Sequence, residues 1–234
     1  LEGTDSAGSS LQLSPDEVNW TVTGNIGTVD ASGRFTASQA GNGSIEAVLK
    51  ASTSITSSRN LTVVAQATSM TVGGGLNSDT RWTLADSPVR LTQSIVVESG
   101  VTLIIDPGVV VEIGNSLGFL IKGQLIARGR PERPITFKSD QGAIAGGWGA
   151  ITFNDASLDA AFDDNDNYLS GSILQHCLIR NGGGNNNKGQ ITVSRSAPLI
   201  EHCEIRDGAS SGIYVEYAQN LDLFIRHCFI HGNS

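Results

Sequence analysis

Lysine is nearly missing from this chain. Its 234 residues hold 4 Lys beside 11 Arg, and 15 basic residues face 23 acidic ones, for a net charge of −8. A nucleic-acid-binding chain carries a basic stripe, so that class of partner is excluded. Long apolar runs are missing too: no stretch reaches the roughly 18 residues of a membrane-spanning helix. Cysteine occurs three times, an odd number that rules out a complete set of internal disulfides. No run shows the 3.6-residue apolar period of an amphipathic helix, which excludes a helical solenoid. What abounds is glycine, at 28 residues, together with Ser, Thr and Asn. An acidic, lysine-poor composition of this kind is associated with secreted bacterial surface proteins.

The three cysteines and three of the four histidines sit in His-Cys pairs within LQHCLIR, LIEHCEIR and FIRHCFIH. His176, His202 and His227 are 26 and 25 residues apart. A fixed period of this length marks a stacked-repeat architecture. A second ladder repeats beside it: Gly123-Gln-Leu-Ile-Ala, Gly149-Ala-Ile-Thr-Phe, Gly189-Gln-Ile-Thr-Val and Gly212-Ile-Tyr-Val, expected to be one strand seen on successive coils. The longer gap before Gly189 places an insertion at about 155–171. Short β-alternating runs punctuated by Ser-Gly, Pro-Gly and Gly-Asn predict a parallel β-helix whose coils stack about 4.8 Å apart.

Alternation along each strand then sorts the side chains. Cys177/Ile179, Cys203/Ile205 and Cys228/Ile230 are expected inward, as a stack of free thiols and aliphatics. His176/His202/His227, Leu178/Glu204/Phe229 and Arg180/Arg206/His231 form outward rows. Arg180 and Arg206 are candidates for meeting acidic sugar carboxylates, with pairing to Glu204 and Asp207 as the simpler outcome. Thr152, Thr192, Tyr214 and Glu216 form the best ligand-facing strip. Among the aromatic residues Trp148, Tyr168, Tyr214 and Tyr217, Trp148 is expected to be structural. In the insertion, Asp163, Asp164 and Asp166 are the candidate ligands for calcium, which favours oxygen donors; a solvated acidic loop is the alternative.

Residues 1–68 differ in pattern. VNWTVTG, RFTA, SIEAVLKA and NLTVVA read as short strands with frequent turns, with Val18, Trp20 and Val22 on one face. The string WTVTGNIGTVDASGRFTA resembles the bacterial immunoglobulin-like domains of surface adhesins, over Val18 to about Val64. Little precedes the string, so the domain is expected to be incomplete at its N-terminus or to use Leu11–Leu13 as a substitute strand. Residues 69–80, with three consecutive glycines, read as a linker.

From Trp82 onward, WTLADSPVRL, VTLIIDPGVVV, KGQLIARG, PITF and GWGAITF resemble the entry coils of right-handed parallel β-helix proteins of the pectate-lyase-like superfamily. The expected fold is therefore all-β: an N-terminal Ig-like β-sandwich (1–68), a linker (69–80) and a right-handed parallel β-helix (81–234). The superfamily resemblance implies that an enzyme of this type would set calcium-binding acids and an Arg or Lys base on one face. The ladders force no two exposed acids together as glycosidases require. The reading therefore leans to a non-catalytic adhesin or carbohydrate-binding module, bacterial and at the cell surface or extracellular, with a polysaccharide or cell-surface glycan as partner. A polysaccharide lyase or glycoside hydrolase acting on an acidic polysaccharide, and a structural repeat segment of a larger surface protein, remain alternatives. A solenoid needs a cap, and none follows His227-Cys228-Phe229-Ile230. The last coil is therefore expected to expose apolar side chains, to continue in a longer chain, or to pack on another copy.

Overall fold

A computed structural model describes residues 2–4, 9–64, 69–217 and 221–234. The chain divides into two compact units, Leu1–Gln66 and Ala67–Ser234.

The first unit is all-β. Val18–Val22 pairs antiparallel with Gly41–Leu49, which pairs antiparallel with Thr56–Val63. Gly27–Val29 and Phe35–Ala37 form a hairpin, and Glu2–Thr4 pairs with Ser10–Gln12. The strands expected at VNWTVTG, RFTA, SIEAVLKA and NLTVVA are all present. Asp30 pins the hairpin turn: its carboxylate accepts hydrogen bonds from the Ser32 hydroxyl, the Arg34 N–H and the Ser32 N–H. These bonds hold its pKa below the ordinary value.

The second unit is a right-handed parallel β-solenoid of about six turns. Three ladders run along it. Ladder A stacks Val89–Leu91, Val110–Ile113, Ile135–Ser139, Cys177–Arg180, Glu204–Arg206 and Phe229–His231 in parallel register. Ladder B stacks Ile95–Val97, Phe119–Ile121, Ile151–Phe153, Gly189–Ser194 and Ser211–Glu216. Ladder C stacks Thr80–Trp82, Thr102–Ile105, Gln124–Arg128, Ile173–Gln175, Leu199–Glu201 and Ile225–Arg226. Inward rows follow from period-2 alternation. In ladder A, Val111, Phe137, Ile179 and Ile205 are fully buried, as are Ile95, Ile151 and Ile191 in ladder B. Each such side chain contributes about 1.5–3 kcal/mol of burial free energy. An aromatic knot of Trp82, Phe119 and Phe137 fills the first coils, with centroids 6.1 and 5.8 Å apart. Farther along, Cys177, Cys203, Ile179 and Ile205 fill the same space.

Each corner of a late coil carries a residue with positive φ next to the strand it follows or precedes. Between ladders C and A these are His176, His202 and His227; between A and B, Asn181, Asp207 and Gly232; between B and C, Arg195 and Tyr217. Earlier coils use Gly100, Gly108 and Ser116.

Two expectations are corrected. Residues 69–80 are not a linker: Met70–Leu76 pairs in parallel with Val89–Val97, and Thr80–Trp82 pairs with Thr102–Ile105. Gly73 answers packing, since a Cβ on it would lie 2.8 Å from the Gln93 nitrogen, and Gly74 answers a positive φ of 87°. The Gly123 strand does not belong with those after Gly149, Gly189 and Gly212. Gln124–Arg128 lies in ladder C, while the ladder B partner of Ile151–Phe153 is Phe119–Ile121. Strands of the two ladders share one alternating pattern, and only their distance from the nearest corner separates them.

The insertion holds an antiparallel hairpin, Ala161–Phe162 with Tyr168–Ser170. In the last coil Phe229 is 64% exposed, Ile230 44%, Ile225 40% and Val215 39%. Among the described residues no helix is long and apolar enough to cross a membrane.

Candidate functional site

The predicted strip on ladder B is brought into one row. Thr152, Thr192 and Tyr214 are direct register partners on consecutive coils, and all three are half-buried. Glu216 lies two residues past Tyr214 on the same face. Lys188 ties the two together: its Nζ donates to the Tyr214 hydroxyl at 3.0 Å and to Glu216 Oε2 at 3.3 Å. The Tyr214 hydroxyl and then Glu216 raise the Lys188 pKa, keeping it charged. Nζ lies 4.6 Å from the Tyr214 ring centroid, so it sits nearer the hydroxyl edge than the ring centre. At the adjoining corner Tyr217 is 58% exposed, with the Arg195 guanidinium 4.9 Å from its ring.

On ladder A, Arg206 and Arg180 are register partners but differ in company. Arg206 lies between two acids: its Nε is 2.8 Å from Glu204 Oε1, and its terminal nitrogen contacts Asp207. His231 Nε2 is 3.4 Å from the same Glu204 oxygen. Arg180 makes no ion pair among the described residues, and its buried Nε has no hydrogen-bond partner. Its carbonyl accepts a 2.8 Å bond from the indole N–H of Trp148. Trp148 is fully buried, a structural position.

The acidic insertion is a hydrogen-bonded hairpin whose acids face solvent. Asp163 closes the hairpin turn, accepting from the Asn167 amide, the Asn167 N–H and the Asn165 N–H at 2.8–2.9 Å. These bonds hold its pKa below the usual carboxylate value, with the Asn167 side chain first among them. Asp164 and Asp166 are exposed. Among the described residues no group of three or more His, Cys, Asp or Glu side chains is placed to hold a metal ion.

The His-Cys pairs separate as alternation requires. His176, His202 and His227 stack with centroids 4.8 Å apart and planes 7° and 10° from parallel. Burial, and next the charge of His202, push the His176 pKa below its usual value. All three cysteines are free; Cys177 and Cys203 are buried and Cys228 is partly so. Hydrogen bonding among the stacked thiols raises the Cys203 and Cys228 pKa values, so these are packing groups rather than nucleophiles.

One functional-looking row escaped the sequence reading. On ladder C, Arg128, Gln175, Glu201 and Arg226 are register partners pointing outward. Arg128 Nε donates to Gln175 Oε1 at 3.0 Å, Gln175 Nε2 to Glu201 Oε2 at 2.7 Å, and Arg226 Nε to Glu201 Oε1 at 2.7 Å. The insertion hairpin meets this row: Tyr168 lies 5.4 Å from the Arg128 guanidinium, and Phe162 packs 4.5 Å from Phe224 beside Arg226. Burial works to raise the Glu201 pKa, but Gln175 and Arg226 outweigh it and leave it below the ordinary value. The signal was present in the sequence, since Gln175, Glu201 and Arg226 each immediately precede a His-Cys pair. A cleft of about 410 Å³ opens at the start of this row, lined by Pro107, Arg128, Arg130, Pro131, Gln175 and His176.

Comparison with protein-family models, curated proteins and solved structures found no match to the chain.

Proposed function

We propose that the chain is a non-catalytic glycan-binding segment of a secreted or cell-surface bacterial protein. In this reading the first unit is an immunoglobulin-like module of the adhesin type, and the solenoid is a relative of the pectate-lyase-like β-helices that presents the binding face. The carrying observation is the in-register row Thr152–Thr192–Tyr214, extended by Glu216 and Lys188. Hydroxyls recur there at strand spacing on rigid elements, with one aromatic ring and one charge pair at the late end of the row. That combination suits a sugar chain lying along the ladder, with the ring as apolar platform and the charged groups as hydrogen-bonding partners.

The ionic state of the outward carboxylates favours binding over catalysis. Glu201, Glu204 and Glu216 are each held by a cation, and the Glu201 pKa is lowered. A general acid needs its pKa raised toward the working pH.

The test is a polysaccharide array probed with the full chain, with and without calcium, read beside the ultraviolet absorbance of unsaturated sugar products. Binding without product is expected, and Tyr214→Ala weakens it about tenfold, in line with about 1.4 kcal/mol for a stacking and hydrogen-bonding side chain. Calcium-dependent product would replace the reading with a lyase. Neither binding nor product would leave the structural-repeat reading standing.

A further inference from the structure

The solenoid unit has five arginines without an ion pair among the described residues: Arg128, Arg130, Arg133, Arg180 and Arg195. Three of them fall within six residues at one corner, on a chain of net charge −8. The corner holds a tight turn, in which the Arg130 and Arg133 backbones exchange hydrogen bonds of 3.2 and 3.0 Å. Gly129 makes the close approach possible, since a Cβ there would lie 2.3 Å from the His176 carbonyl oxygen. The turn is thereby set against the His176 backbone, and a cleft of about 410 Å³ is lined by Arg128, Arg130, Pro131 and His176. That volume falls within the roughly 300–1,000 Å³ of small-molecule sites.

Three donor groups face this space. Arg128 is pre-oriented by a chain of bonds from Arg226 through Glu201 and Gln175. That chain engages only its Nε; among the described residues neither terminal nitrogen makes a hydrogen bond, and the Tyr168 ring lies 5.4 Å from the guanidinium. The Arg130 side chain has no hydrogen-bond partner among the described residues. His176 adds an imidazole held toward its neutral form by burial and by His202, able to donate one N–H. Glu132, in the same turn, and Glu201 are the negative groups whose fields reach His176. Glu201 is already paired with Arg226; Glu132 makes no ion pair among the described residues.

A carboxylate offers two oxygens, whereas a phosphate or sulfate monoester offers three strong acceptors. Guanidinium forks bind such oxyanions in bidentate fashion. We propose that this cleft binds the tetrahedral oxyanion of a sugar sulfate or sugar phosphate monoester. Two guanidiniums and one imidazole each take an oxygen, and Pro107 and Pro131 bound the space for the sugar. The proposal rests on the glycan-binding reading only for the sugar; the oxyanion follows from the corner itself.

The test is calorimetric titration of the full chain with a monosaccharide 6-sulfate, its 6-phosphate, the unmodified sugar, the corresponding uronate and inorganic sulfate. At least one ester is expected to bind, and which one does identifies the source. Arg130→Ala, an exposed change that spares the core, weakens it at least tenfold. Glu132→Gln tightens it severalfold by removing the competing charge. The proposal is overturned if neither ester binds, if Arg130→Ala leaves affinity unchanged, or if the uronate or free sulfate binds as tightly as the esters. Tyr214→Ala separates the two readings. Array binding lost in that variant while ester binding persists upholds the cleft as a second site. Array binding that depends on Tyr214, with no ester binding, sinks the cleft and keeps the ladder B face.

Discussion

The early and late coils of the solenoid have one cross-section built from two kinds of sequence. In the early coils the corners carry Gly100, Gly108 and Ser116, and the interior holds Trp82, Phe119 and Phe137. In the late coils the corners carry His176, His202 and His227, and the interior holds Cys177, Cys203, Ile179 and Ile205. Backbone stacking and inward alternation fix the geometry in both. The early half fills it with large unlike side chains that interlock across coils. The late half fills it with small like ones that stack on themselves. The repeat shows in the sequence only in the late half, because there each coil solves its corner between ladders C and A, and the core beside it, with the same residues.

The comparison is broken first at the core. Phe137 is fully buried and meets Phe119 edge-on, at an interplanar angle of 87°. Phe137→Ala is expected to cost about 3–5 kcal/mol, the range for an aromatic side chain in a core that cannot collapse. Ile205 is as buried but stacks on Ile230, which is 44% exposed. Its cavity opens toward solvent, so Ile205→Ala falls near the lower end of the aliphatic range, about 2 kcal/mol. Urea denaturation of the full chain reads the difference as a shift of midpoint at constant slope. Equal costs would show that the late coils interlock as tightly as the early ones.

The same contrast explains what could be read in advance. The late coils were legible: the His-Cys period yielded the inward Cys–Ile pairs and the three outward rows, the histidine row among them, because identical residues recur at the corner between ladders C and A. The early coils were legible as strands but not as ladders. Gly123 was matched to Gly149 because both open an alternating apolar run, although one run lies in ladder C and the other in ladder B. The glycines at 73–75 read as flexible because chain composition cannot show that Gln93 crowds Gly73 from the next coil. Of the candidate site, Thr152, Thr192 and Tyr214 were legible as a row, since register follows from the Ile ladder beside them. The link from Lys188 to Tyr214 was not, because it joins residues 26 positions apart through a side chain. The Arg128–Gln175–Glu201–Arg226 row was hidden because its members are chemically unlike, and a repeat search sees likeness.

Corners sharpen the comparison at a smaller scale. Gly108 has φ +88° with ordinary space around a new Cβ, Leu84 being 3.4 Å away. Gly108→Ala is therefore expected to cost the backbone penalty alone, about 1–2 kcal/mol. His202 already sits at φ 52° and carries that penalty in the native chain. His202→Ala changes little except the stack with His176 and His227, and a loss under about 1 kcal/mol is expected. Thermal unfolding of both variants checks the order; a larger loss at His202 would mean that the imidazole stack stabilises the late coils.

The smallest expected effect is the dependence on pH, and it belongs to the late coils. Burial, with His202 behind it, holds the His176 pKa below its ordinary value while the fields of Glu201 and Glu132 act against that shift. The unfolded chain therefore takes up the proton first. Stability is unaffected above about pH 6.5 and falls as pH drops below it. Glu201, whose folded pKa is also lowered, acts in a separate window. Its contribution is complete above the unfolded carboxyl value of about 4.3 and is lost as pH falls through the lower folded one. His176 is half-buried, so its step stays under about 1 kcal/mol; Glu201 is buried, and its step is small because burial opposes the lowering by Gln175 and Arg226. Unfolding free energies measured from pH 8 to pH 3 should show two shallow declines. His176→Asn, which keeps a residue tolerant of positive φ, should remove the upper decline and leave the lower one. An upper decline that survives in His176→Asn would show that the His176 imidazole is not its source.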